Sequence, residues 1–141
     1  MRVAVPVPEL PLTGGCNCGG VRYEISEPLV SAGYCHCKRC QRRTGAAASP
    51  QARVAPGSLR IVSGEHLVRD WDPGDGGFAK AFCSVCGSSL WSRSPSDPEV
   101  MSVRLGTFDG DPGIRPTRRQ WLESAAPWEP VPDDALERFA R

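Results

Sequence analysis

The chain has 141 residues, enough for one domain with a modest core, and its 17 Lys+Arg against 16 Asp+Glu leave almost no net charge. That balance argues against a nucleic-acid binder, which needs a basic excess, and no apolar run approaches the length of a membrane span. Fifteen glycines and fourteen prolines predict many turns and few long helices.

The opening "MRVAVPVPELPL" has one positive residue, Arg2, and two early prolines, so it reads as a flexible N-terminal arm over 1–12 rather than a secretion signal. The rest, 13–141, is expected to form a single domain, and the protein is expected to be cytoplasmic. In "GGCNCGGVRYEIS", Val21, Tyr23 and Ile25 alternate with Arg22 and Glu24, the period of a half-buried strand. Short apolar pieces follow, broken at Pro50, Pro56–Gly57 and Ser63–Gly64. "DPGDGG" at 72–77 is a turn, and Met101, Val103 and Leu105 mark another alternating strand. Only "PDDALERFAR", with its acidic start, predicts a helix, from about Asp133. The expected class is all-β with a short C-terminal helix.

Seven cysteines are many for a reducing compartment, and an odd number cannot pair off completely, so metal is the better explanation. They fall in three clusters: Cys16–Cys18, Cys35–Cys37–Cys40 and Cys83–Cys86. The C-x-x-C of the last lies between strand-like segments rather than at the start of a helix, which favours zinc over a redox pair. Gly87 after Cys86, and Gly19–Gly20 after Cys18, let the chain fold back so that backbone N–H groups face sulfur. Four plus three is a natural division: C-x-C with C-x-x-C gives a structural zinc site, and three cysteines with an exchangeable position describe a catalytic one. Counting alone equally allows Cys83 or Cys86 to complete the middle cluster.

The blocks "GGCNCGGVRYEI", "CHCKRCQRRTG", "FCSVCGSSLW", "VRLGTFD" and "APWEPVPDDALERF" resemble, in order, those of the glutathione-dependent formaldehyde-activating enzyme and centromere-protein-V family, over about 13–139. The resemblance implies coiled antiparallel β-sheets stabilised by two zincs. One is structural, held by Cys16, Cys18, Cys83 and Cys86. The second, proposed as catalytic and possible in partial occupancy, is held by Cys35, Cys37 and Cys40. It also implies a carbon–sulfur lyase-like enzyme that joins a small thiol, glutathione, to an aldehyde, formaldehyde, giving S-hydroxymethylglutathione. The centromere branch implies the alternative, a non-catalytic zinc-stabilised β module that binds a protein partner. One departure stands out: where the family often shows Pro-x-x-His-Ile before a tryptophan, "PTRRQW" places Arg119 and Gln120.

Lys38, Arg39, Arg42 and Arg43 form a basic cluster suited either to the carboxylates of glutathione or to offsetting zinc-thiolate charge. His36, between two ligand cysteines, is expected to face away from their metal, because alternate residues of an extended segment point to opposite faces. His66 reads as an ordinary strand residue, and Trp71, Trp91, Trp121 and Trp128 as core or sheet-packing residues. The two histidines have no accompanying nucleophile motif, so no Ser–His–Asp arrangement is expected.

Overall fold

The computed structural model describes residues 4–141 and contains two β-sheets. β1 (Leu12–Gly15), β2 (Arg22–Ile25) and β5 (Leu59–Ser63) form a small antiparallel sheet in the order β1-β2-β5. The larger sheet takes in β3 (Ser31–Cys35), β4 (Ser49–Arg53), β6 (Val68–Trp71), β7 (Ala79–Cys83), β8 (Ser89–Arg93), β9 (Met101–Arg104), β10 (Arg118–Gln120) and β11 (Glu137–Arg138). Its order is β11-β10-β3-β4-β9-β8-β7-β6. The all-β expectation is met. The pairings are antiparallel except at one edge, where β10 runs parallel to both β3 and β11. No helix among the described residues is long and apolar enough to cross a membrane.

The alternation in β2 works as its sequence predicts. Val21, Tyr23 and Ile25 are almost wholly buried, while Arg22 and Glu24 turn toward solvent and pair with Asp109 and Arg60. Tyr23 packs edge-on against Trp91 and Phe108, each with ring centroids 6.0 Å apart, and its hydroxyl meets Thr107 Oγ1 at 2.6 Å. This aromatic cluster joins the two sheets: Tyr23 belongs to the small one and Trp91 to the large one. β9 differs from expectation. Ser102 and Arg104 are buried as well as Met101 and Val103, because β9 lies between β4 and β8 with both faces covered.

The one α-helix, α1 (Lys38–Thr44), is not where the sequence pattern put it. Seven residues rarely hold a helix alone, and here the ends are fixed. Cys37 is the N-cap, its sulfur accepting the Cys40 N–H at 3.3 Å. Gly45 closes the other end in the left-handed conformation, φ 69°, and Thr44 Oγ1 returns a hydrogen bond to Cys40 O.

The predicted C-terminal helix is replaced by extended chain. Ala135 turns at φ 61°, Asp134 accepts the Leu136 N–H, and the Asp134 carboxylate is held by Arg119. The backbone then pairs outward: Glu137 N–H donates to Thr117 O, Phe139 N–H to Arg119 O, and Leu122 N–H to Phe139 O. These bonds to β10 and the turn after it outweigh the helix preference of a segment about ten residues long.

Gly64 turns at φ 80° against β2, and a Cβ there would lie 1.9 Å from Gly20 O. We expect Gly64→Ala to lower unfolding stability by about 2–4 kcal/mol in chemical denaturation. The Arg22–Asp109 pair, with Thr13 donating to the same carboxylate, holds Asp109 down to about 2. A depressed carboxylate stabilises above its unfolded pKa and loses that contribution as pH falls through its folded value. The melting-temperature advantage of wild type over Asp109→Asn should therefore be full at pH 6 and shrink as pH falls from about 4 to 2.

Candidate metal centres

Strand ends bring the first and last cysteine clusters together. Cys16 follows β1 and Cys18 lies in the turn after it, while Cys83 ends β7 and Cys86 lies in the turn to β8. That turn is closed by Gly87 N–H to Cys83 O and Cys83 N–H to Ser88 O, with Gly87 at φ 76°. All four sulfurs lie within 4.8 Å of one another. Cys16 and Cys18 sulfurs are 3.5 Å apart, and Cys18 and Cys83 sulfurs 3.9 Å. A tetrahedron of thiolates around zinc has edges of about 3.8 Å, so the set has the dimensions to hold one ion. Polar groups converge on it: Val21 N–H on Cys16 sulfur at 3.2 Å, and Ser88 Oγ, which also accepts the Asn17 N–H, on Cys86 sulfur at 3.2 Å. Ser88 draws the Cys86 thiol down to about 5 through its hydroxyl and its backbone N–H. Sequence reasoning treats Ser88 as a turn residue; its hydrogen bond to a ligand sulfur depends on the folded turn.

The middle cluster forms where β3 runs into α1. Cys35 and Cys40 are buried, Cys37 is half-buried, and their three sulfurs also lie within 4.8 Å of one another. Among the described residues, no fourth Cys, His, Asp or Glu joins them. His36 turns away, as the alternation predicts. Its ring is buried, with Nε2 3.2 Å from Arg119 Nη1, and burial lowers its basicity. The crowding has an electrostatic consequence. Hydrogen bonds from Cys35 and Cys40 bring the Cys37 thiol down to about 2, while Cys40, facing both partners, is pushed far up. The bare set thus favours one thiolate and resists the next, and a divalent cation removes that resistance. Both sets fit metal, and sulfur donors in these numbers suit zinc.

The three cysteines open onto a cavity of about 670 Å³. Its wall includes Gln51, Arg53, Phe78, Lys80, Gln120 and Trp121. Arg53 and Lys80 both lie near the Phe78 ring, 5.6 and 5.9 Å from its centroid. Trp121, at the cavity wall, has φ 61°, a left-handed conformation that costs a bulky residue about 1–3 kcal/mol.

The basic cluster of α1 does not act as a unit. Arg39 reaches this cavity but also pairs with Asp75 at 2.6 Å and lies 5.6 Å from the Trp71 ring. Arg43 turns inward, donating to the carbonyls of Ala81 and Trp91, and burial pushes it down to about 10. Lys38 and Arg42 line a neighbouring cleft of about 720 Å³ with Trp71, Lys80 and Phe82. Of the four, only Arg39 borders the three-cysteine cavity, where Arg53 and Lys80 supply the other charges. Lys80 was partly legible, since in "FAKAFC" it lies on the strand face opposite Ala81 and Cys83. Arg53 was not, because only the pairing of β4 brings it there.

Trp91 is core, as expected, but Trp71, Trp121 and Trp128 are 50, 39 and 65% exposed, so the packing role expected of all four tryptophans belongs to Trp91 alone. Trp71 is on the edge strand β6, and Trp121 was missed as a cavity residue because its left-handed turn has no signature in sequence. At the departure from the family pattern, the two residues divide: Arg119 faces inward to Tyr34, His36 and Asp134, and Gln120 lines the cavity.

Two sheets that meet where a four-cysteine set gathers, with a three-cysteine set open to a cavity, define a β-sheet protein with two groups of sulfurs at metal-ligand spacing. The family model described as glutathione-dependent formaldehyde-activating enzyme matches residues 11–124. The chain belongs to that family. It is 25% identical over 133 residues to a Halomonas elongata protein provisionally named a glutathione-dependent formaldehyde-activating enzyme, an alignment spanning 90% of this chain and 85% of that one. The fold also resembles the crystal structure of a Rhodobacter sphaeroides protein, with a TM-score of 0.56 and 31% identity, over 70% of this chain and 88% of the other.

Metal analysis of the purified protein should find two ions per chain. We expect Cys83→Ser to lose one ion together with cooperative unfolding, since a metal that ties strand ends supplies folding free energy. Cys37→Ser should lose one ion and keep its thermal transition.

Proposed function

We propose that this protein is a zinc-dependent enzyme of carbon–sulfur lyase type, which adds the thiol of glutathione to formaldehyde and forms S-hydroxymethylglutathione, or runs that step in reverse. The observation that carries the reading is the three-cysteine set: three sulfurs at ligand spacing, no fourth Cys, His, Asp or Glu donor among the described residues, and a cavity at their open side. Cys35, Cys37 and Cys40 would hold the catalytic zinc, and Cys16, Cys18, Cys83 and Cys86 a structural one.

When bound, zinc supplies a position at which an incoming thiol is held as a thiolate. In the addition, the thiol gives its proton to water on becoming a thiolate, the sulfur–carbon bond forms, the carbonyl π pair moves to oxygen, and that oxygen takes a proton. Lys80 is the ammonium in the cavity wall, and its own charge is disfavoured by burial, so it is placed to give up that proton and recover it from water. Arg53 and Arg39 are suited to the carboxylates of a peptide thiol, since guanidinium groups pair with carboxylate in two-point geometry. Gln51 and Gln120 offer amide hydrogen bonds beside them, and the Phe78 and Trp121 rings give the cavity apolar walls that limit water. The neighbouring cleft with Lys38 and Arg42 has space for more of the substrate, because it shares Arg39 and Lys80 with the cysteine cavity. We place the reaction in the cytoplasm, within a single domain over 13–141.

Native mass spectrometry with and without glutathione tests this directly. Wild type should take up one glutathione, and Cys37→Ala should keep its fold and lose that uptake. In an NMR exchange measurement, Cys37→Ala should slow the catalysed interconversion of formaldehyde and its glutathione adduct by at least about 100-fold. Unchanged uptake and exchange in Cys37→Ala would exclude the three-cysteine set as the reaction centre.

A further inference from the structure

Among the described residues, the buried guanidinium of Arg104 and the half-buried one of Arg43, which turns inward, lie without a carboxylate partner. Arg104, on the central strand β9, is 5% exposed. Its Nη1 donates to Gln51 Oε1 at 2.5 Å and its Nη2 to Ser92 Oγ at 2.6 Å, while its buried Nε finds no partner. Arg43 donates from Nη2 to main-chain carbonyls, and its buried Nη1 likewise has no partner. Neither takes part in an ion pair among the described residues. A buried cation without an anion is among the most unfavourable things a fold can contain, so a compensating charge is to be sought close by.

The compensating charge is on the cysteines. Gln51 and Ser92, the two side chains that Arg104 holds, both line the three-cysteine cavity, so the guanidinium stands directly behind its wall. Burial works against the Arg104 cation, and the charges that favour it are those of Cys40, Cys35 and Cys37. For Arg43, burial and the repulsion of Arg104 are opposed by Cys40. Three thiolates on a doubly charged metal leave one net negative charge, which balances one of the two guanidinium groups. A fourth, thiolate donor brings the complex to two negative charges, nearer to balance with both guanidinium groups and the Lys80 ammonium in the cavity wall. A neutral donor leaves more of that positive charge uncompensated.

We propose that Arg104, backed by Arg43, is a specificity-determining positioning residue of the three-cysteine site: this inward-facing pair of positive charges makes the open position select an anionic thiolate over a neutral donor. The inference rests on the reading of Cys35, Cys37 and Cys40 as a metal site with an open position. It adds what fills that position and why. The preference originates in charges outside the wall of the three-cysteine cavity, which neither Arg104 nor Arg43 lines.

The test uses the full chain loaded with cobalt(II), whose thiolate complexes absorb in the visible, and follows the spectrum of the three-cysteine site at fixed pH. 2-Mercaptoethanol serves as the thiolate source and imidazole as the neutral donor. In wild type the thiol should bind in strong preference to imidazole. Arg104→Met should weaken the thiol at least about 10-fold and leave imidazole within about 2-fold, because only the thiolate donor brings a further negative charge that feels the missing cation. Arg104→Lys, which keeps the charge, should keep most of the preference. If Arg104→Met fails to fold, Arg43→Met, which leaves the cavity wall intact, should shift the same ratio in the same direction. Equal weakening of both donors, or an unchanged ratio in a folded variant, would overturn the proposal. Turnover does not enter the readout. A wild type that prefers the thiol but shows no catalysed exchange of formaldehyde would remove the proposed reaction and leave the charge selection standing. Failure of cobalt to enter the three-cysteine set would overturn both.

Discussion

The four sulfurs of Cys16, Cys18, Cys83 and Cys86 are the constraint on which the rest of the structure depends. They gather the end of β1, in the small sheet, with the β7–β8 turn of the large one, beside the Gly14–Phe108 bridge and the Thr13 and Arg22 contacts to Asp109 that also tie β1 and β2 to the chain after β9. The Tyr23–Trp91–Phe108 cluster lies inside that junction and gives it an apolar core. With the sheets locked, the strand order of the large sheet sets β4, β7 and β9 around the β3–α1 corner. Arg53, Lys80 and Ser102, far apart in sequence, consequently share one cavity wall with Cys35, Cys37 and Cys40.

The two cysteine sets differ in what surrounds the sulfur. The four-cysteine set gathers neutral donors, namely the Val21 N–H and the hydroxyl and N–H of Ser88, and offers four protein sulfurs. The three-cysteine set is short of one donor and is backed by positive charge. That division suits a metal kept for folding and a metal kept for chemistry. The short helix α1 contributes through its cap, because Cys37 uses one sulfur to close the helix start and to face the cavity. Together with Gly45 and Thr44 at the other end, that cap holds a helix of only seven residues in a β protein.

Much of this was legible in the sequence, because cysteine spacing and strand alternation are local signals. The buried face of β2 follows from a period of two, and the four-plus-three division of sulfurs follows from the family resemblance once counting has left it open. The errors have a common origin in long-range pairing. "PDDALERFAR" carries the local marks of a helix, yet its backbone bonds go to Thr117 and Arg119, which no local pattern announces. Arg43 looks like one of four equivalent surface cations, but the helix turns it inward while Lys38 and Arg42 stay out. Arg104 looks like the polar half of an alternating strand, and only the presence of β4 and β8 on either side buries it. The residues that charge the site were therefore the least visible ones.

The extended tail that replaced the expected helix has a consequence for behaviour at high concentration. β10 is three residues long, and without β11 it would offer its free N–H and C=O groups to any passing strand; β11 pairs with it. At the other margin of the sheet, β6 presents Arg69 and Asp70 in succession, and a desolvated charge is a poor invitation to pairing. One margin of the sheet therefore ends in a strand of only two residues, both charged, and the other in a strand carrying charge, the kind of edge that is a poor template for chain-to-chain pairing.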